Sequence, residues 1–164
     1  MSILKVDTIN EKTTGNGVAI PNLTMPSGTI VRMGHAKHST YHAASNASTW
    51  VEAYQFSISG ITADNTIYMM YSVNDLVEAA NHVTFKIENT LDNSVIMQWS
   101  RQTNGNGGWR GIRSDPTGYD SDTSGGTRTY SFQHASNTAD TRYVNYPTAF
   151  SDAASFLTWW EIAQ

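Results

Sequence analysis

The sequence predicts an all-β protein: a jelly-roll-like antiparallel β-sandwich preceded by a short N-terminal β-arm. Three observations predict it. Roughly eight short stretches alternate apolar and polar residues with the two-residue period of a half-buried strand. The connections between them are rich in Gly, Asn, Ser and Thr, the residues that favour turns. Almost no stretch carries the 3.6-residue period of an amphipathic helix.

Residues 1–28 read as the arm and residues 29–164 as the sandwich. In the arm, Leu4 and Val6 alternate with Lys5 and Asp7, Ile9 closes the stretch, and Gly15-Asn16-Gly17 turns the chain. Val18 and Ile20 follow as a second short strand, and Pro21, Pro26 and Gly28 break any longer element. A lone two-stranded hairpin is at best marginal in water. Leu4, Val6, Ile9, Val18 and Ile20 are therefore expected to anchor the arm on sister subunits or on a larger particle; the alternative is that the arm pads the edge of its own domain.

Residues 29–33 open the sandwich. Residues 50–59 alternate, with Trp50, Tyr54, Phe56 and Ile58 expected on one face. Residues 66–73 are apolar on both faces, and Asn74–Ala80 reads as a short helix-like turn. Residues 82–88 place Val83, Phe85 and Ile87 inward, and Leu91-Asp92-Asn93 turns the chain into a strand carrying Val95, Met97 and Trp99. Tyr130, Phe132 and His134 share a face. A further strand runs near Thr141 to Tyr146, and residues 155–162 close the domain.

Composition narrows the function. A chain of 164 residues is long enough for one real core plus an appendage. There is no cysteine, hence no disulfide and no thiolate metal site. Net charge is −4 with 15% charged residues, which argues against a nucleic-acid partner, since that needs a basic face. No apolar run approaches the roughly 18 residues of a membrane helix, and the N-terminus lacks a signal-peptide layout.

The last strand points to assembly. Phe156, Trp160 and Ile162 lie on one face, Leu157 and Trp159 on the other. A buried Trp or Phe covers on the order of 150–250 Å², so a wet aromatic face marks an interface. Met70, Leu157 and Trp159 are the residues expected at the subunit contact; the alternative is a central strand covered by its own chain.

Candidates for chemistry are few. His35, His38 and His42 cluster in sequence, but on a strand His35 and His38 face opposite ways, and Ser39-Thr40-Tyr41 gives poor support to a helix that would bring His38 and His42 together, so no metal site is expected. Asp120 and Asp122 flank Ser121 in a turn-rich stretch, more in keeping with a solvated turn than an acid/base pair. No Gly-x-Ser-x-Gly elbow and no phosphate loop occurs. The chain is expected to be no enzyme and to need no cofactor. Residues 104–126 read as a long Gly-rich loop holding Trp109, Arg110, Arg113 and Tyr119. These four are candidates for contact with a sugar or a protein; the other reading has the loop fold back as a cap.

Several segments resemble virion appendage proteins of marine, cyanophage-like tailed bacteriophages: head-fibre, tail-fibre and decoration proteins. They are Leu4–Ile9 (LKVDTI), Gly15–Asn22 (GNGVAIPN), Pro26–Val31 (PSGTIV), the run from Tyr130-Ser131-Phe132 through Asn137 to Tyr143 and Phe150, and Ser155–Ala163 (SFLTWWEIA). The chain departs from that pattern in its adjacent Trp159-Trp160 and its Gly/Asn-rich middle. The resemblance implies a homotrimeric structural protein of the virion, assembled in the host cytoplasm and attached through its arm to capsid or tail proteins. It also leaves open a receptor-binding tip that contacts host surface polysaccharide.

Overall fold

In the computed structural model, described over residues 26–44, 49–77, 82–102, 110–136, 142–145 and 154–164, eleven strands build two antiparallel sheets. They are β1 (Ile30–His38), β2 (His42–Ala44), β3 (Val51–Ile61), β4 (Thr66–Val77), β5 (His82–Asn89), β6 (Val95–Gln102), β7 (Arg110–Ser114), β8 (Thr117–Asp120), β9 (Gly126–Ser136), β10 (Arg142–Val144) and β11 (Ser155–Ile162). The arm residues Leu4, Val6, Ile9, Val18 and Ile20 lie outside the described residues.

The narrow sheet has the order β3-β9-β5-β6. The broad sheet is organised by β4. Residues 66–72 of β4 pair with β11, and residues 67–70 with β8; residues 75–77 pair with β10, and residues 73–77 with β7. β1 then pairs β11, and β2 pairs β10. Because β1 runs on into β2 and β7 into β8, these short strands lie end to end as interrupted rows. The broad sheet therefore reads β1/β2, β11/β10, β4, β8/β7. Numbering the eight rows in chain order gives sheets 1-8-3-6 and 2-7-4-5, the strand order of a jelly roll.

The interruptions are stitched rather than loose. Asn145, 1% exposed and at φ 55°, follows β10 and donates from Nδ2 to the carbonyls of His38 (3.0 Å) and Thr40 (3.1 Å). It accepts from Ser155 Oγ at 2.7 Å. Asn tolerates this left-handed conformation better than most residues. One side chain thus bridges the breaks in two adjacent rows.

The core is aromatic and lies between the sheets. Phe132 of β9 is its hub, with Tyr71 at 5.1 Å, Tyr54 at 5.2 Å, Phe85 at 5.9 Å and Trp99 at 6.0 Å. Val83, Phe85 and Ile87 point inward, as do Tyr130, Phe132 and His134, each at most 2% exposed. Both sets follow the alternation of their strands.

Three expectations need correction. Residues 74–77 are strand, not a helix-like turn, because β7 and β10 pair with them on both sides. The expected loop 104–126 contains β7 and β8, both laddered to β4; residues 104–109 lie outside the described residues. Trp50 does not share the Tyr54 face. A register shift between Glu52 and Tyr54 leaves it 37% exposed beneath Lys86, 4.8 Å from the ring.

Candidate functional site

The outer face of the broad sheet is the molecule's apolar surface. In β4, Ile67, Met69, Tyr71 and Val73 are buried, so the pleat turns Tyr68 and Met70 outward. Register then fixes what stands beside them. Met33, Trp160, Tyr68 and Tyr119 form one transverse row over four strands. The next row is His35, Thr158, Met70 and Thr117, and beyond it Lys37 stands opposite Phe156. At about 4.8 Å per strand, a row spans about 15 Å. Met33 (64%), Tyr119 (65%), Phe156 (44%) and Met70 (37%) are exposed, and Trp160 packs on Tyr68 at 5.6 Å. Lys37 and His35 are the basic side chains in these three rows.

Beneath this face, buried polar anchors fix the strands. Glu161, 2% exposed, accepts from Thr62 N–H and Asn65 Nδ2, both at 2.8 Å, and pairs with Arg32 Nη2 at 2.9 Å. Burial opposes the charge on Glu161. The Thr62 and Asn65 hydrogen bonds, with the Arg32 charge, outweigh it and hold the carboxyl below its ordinary range. Arg32 also donates to Ser59 O at 2.8 Å and lies 5.1 Å over the Trp159 ring. Trp159 in turn covers Gly34, where a Cβ would fall 2.5 Å from the ring. One cluster thereby locks β1, β11 and the β3–β4 turn.

A second anchor roots β8. Asp120, 1% exposed, accepts from Tyr130 Oη at 2.8 Å and Asn89 Nδ2 at 3.3 Å, with Arg128 Nη1 at 3.6 Å. Burial and the neighbouring Asp120 carboxylate push the Tyr130 phenol above its ordinary range. The backbone N–H of Ser124 holds Asp122 below the ordinary carboxylate range. With Asp120 drawn inward, Tyr119 must face out. Asp120 is held as a structural acceptor. Gly118 lets β8 close on β6, since a Cβ there would lie 2.4 Å from the Ile96 carbonyl oxygen.

The outer face of the narrow sheet is different in kind. Its hydroxyls, amides and carboxylates bond one another: Ser57 with Thr129 (2.9 Å), Thr84 with Ser100 (3.1 Å), and Ser131 to Glu52 (2.6 Å). Gln55 also donates to Glu52 at 2.9 Å, Gln133 to Ser131 at 3.1 Å, and Lys86 pairs with Glu88.

The sequence-derived site residues separate on this geometry. Met70 stands on the apolar face. Leu157, expected at a subunit contact, is 4% exposed inside the sandwich, and Trp159 packs against the core beside it. The assignment of these two is therefore corrected: their face looks inward because it opposes the Met69–Tyr71 face of β4, and Phe156 and Trp160 take the outer position. Both outward residues were visible in the alternation; what alternation lacks is a sign for inside. Tyr119 is exposed, while Arg110 and Arg113 belong to β7 rather than to a loop, and Trp109 lies outside the described residues. His35 is exposed, His38 stacks on Tyr54 at 3.3 Å, and His42 Nδ1 meets the buried His134 Nε2 at 3.0 Å. Among the described residues, no three His, Asp or Glu side chains are placed to hold a metal ion.

No protein-family model matches the chain, and no curated protein matches it. Among solved structures it is similar to the VP2 subviral particle of infectious bursal disease virus, with a TM-score of 0.43 and 8% identity over 90% of this chain. A structure of the Gx strain of that virus is similar to the same degree. The chain spans about 42% of the length of either matched chain. The jelly-roll assignment rests on the strand order itself.

Proposed function

We propose that this chain is a non-enzymatic structural protein of a virion, a small head-fibre, decoration or tail-appendage subunit held in place through residues 1–28. The observation that carries the assembly part of this reading is the inequality of the two outer faces. One is a self-satisfied polar lattice. The other carries Met33, Tyr68, Met70, Tyr119, Phe156 and Trp160, with little charge among them. Met and aromatic residues with few acids or lysines are the composition of an interface core. The jelly roll recurs in capsid and lectin domains, which fits the virion reading by analogy of fold. The phage-like segments named above supply the particle and the expectation of a trimer.

Sedimentation of the full-length protein at micromolar concentration tests it. The expected result is an oligomer that dissociates when Met33 and Trp160 are both changed to Ser. A monomer that also fails to bind capsids or tails would sink the assembly role.

A further inference from the structure

β1 is an edge strand: among the described residues it pairs only with β11. It is nine residues long, and Ile30, Val31 and Met33 at its start are 57%, 41% and 64% exposed. A long open edge offers its N–H and C=O groups to any strand that fits, so proteins usually cover or blunt it. Lys37 blunts the far end. The near end has the register shift between Ile30 and Arg32 and the charge of Arg32 turned in on Glu161, while Ile30, Val31 and Met33 stay open.

The chain enters β1 through a reverse turn. Thr29 N donates to Pro26 O at 3.0 Å, and Gly28 at φ 84° sits third in the turn, which makes it type II. A turn of this hand splays the two arms of a hairpin instead of pairing them. The first rung is also missing. Pro26 has no N–H to give, and the Thr29 carbonyl already accepts from Ala163 N at 2.9 Å. A two-residue hairpin closed at Pro26–Thr29 therefore has neither its favoured turn nor its first rung. Residues 1–25 can reach far beyond their own sheet, about 80 Å when extended at about 3.3 Å per residue.

We propose that the free edge of β1 is completed by residues 3–9 of a second copy, added as an extra strand. Main-chain hydrogen bonds would supply affinity, as in other strand additions. Leu4 and Val6 would extend the apolar outer face past Met33, and Lys5 and Asp7 would fall on the opposite side of the sheet. The inference rests on the assembly reading above and names the contact that makes it.

The absence of cysteine makes the test clean. Two full-length chains with different tags are produced together, one carrying Val6→Cys, the other Met33→Cys, His35→Cys or Lys37→Cys, and are mildly oxidised. The expected product, at one of the three β1 positions, is a disulfide-linked pair of unlike chains. Hydrogen exchange on the unsubstituted protein reads the same contact. The β1 amides that face away from β11 should be protected in the assembly and lose protection on dilution. A disulfide that forms only within a single doubly substituted chain overturns the proposal, and so do absent cross-links with fast exchange along β1. An oligomeric wild type with either of those results removes strand exchange alone, whereas a monomeric wild type that binds no particle removes the assembly reading with it.

Discussion

The two outer faces of this sandwich come from strands with the same two-residue alternation, yet they meet their surroundings differently. On the narrow sheet, Ser57, Thr84, Thr129, Ser131 and Gln133 find partners on neighbouring strands, and Lys86 lies over Trp50. That face is complete as it stands in water. On the broad sheet, Met33, Tyr68, Met70, Tyr119, Phe156 and Trp160 face outward together, interspersed with Thr117, Thr158, His35 and Lys37. The difference teaches that burial inside the chain accounts for one face of each sheet, and that an apolar second face needs a reason outside the chain.

The largest effect should come from beneath the apolar face. Glu161→Ala removes the acceptor shared by Thr62, Asn65 and Arg32. It should cost about 3 kcal/mol of stability in denaturant unfolding, within the range for breaking a buried pair. An equal loss from Glu52→Ala, which bonds Ser131 and Gln55 on the polar face, would erase the contrast. Trp160→Ser should come next, and in association rather than folding. A hot-spot side chain contributes about 2 kcal/mol, so assembly measured by sedimentation should weaken about 30-fold. An unchanged association constant would mean the face is not the contact. Gly34→Ala should displace the Trp159 ring and lower stability by about 1–2 kcal/mol, an overpacking cost visible as a lower Tm. Ser57→Ala on the polar face should change stability by about 0.5 kcal/mol and leave assembly untouched.

Acid should sharpen the same comparison. Glu161 has a folded-state pKa held below its ordinary value, so its contribution is fully present above the ordinary carboxylate range. That contribution is lost as pH falls through the lowered value. The stability gap between wild type and Glu161→Gln should therefore be constant near neutrality and close progressively at acid pH. A gap that widened on acidification would contradict the ion-pair account.

Much of the fold was legible in the residues. The alternation of Val83, Phe85 and Ile87, and of Tyr130, Phe132 and His134, is local and survives folding unchanged. What was not legible has a common cause. Residues 110–114 and 117–120 are strand because β4 offers them a ladder, and that ladder is a long-range property. Trp50 changed face because a single register shift in β3 moves every residue on one side of it. Asn74–Val77 looked like a turn in isolation and is a strand held from both sides.

The candidate site shows the same division. By itself the sequence determined that residues 66–73 and 155–162 are strands apolar on both faces, because a two-residue period needs no neighbours to be read. It determined equally that the chain has no disulfide and little charge to spend on a nucleic acid. Only the tertiary structure decided which face of the last strand is inside. Leu157 and Trp159 pair with the side of β4 that packs against Phe132 and Trp99, and Phe156 and Trp160 are left facing out. A strand's two faces are equivalent until another sheet covers one of them, and that choice is made across the sandwich.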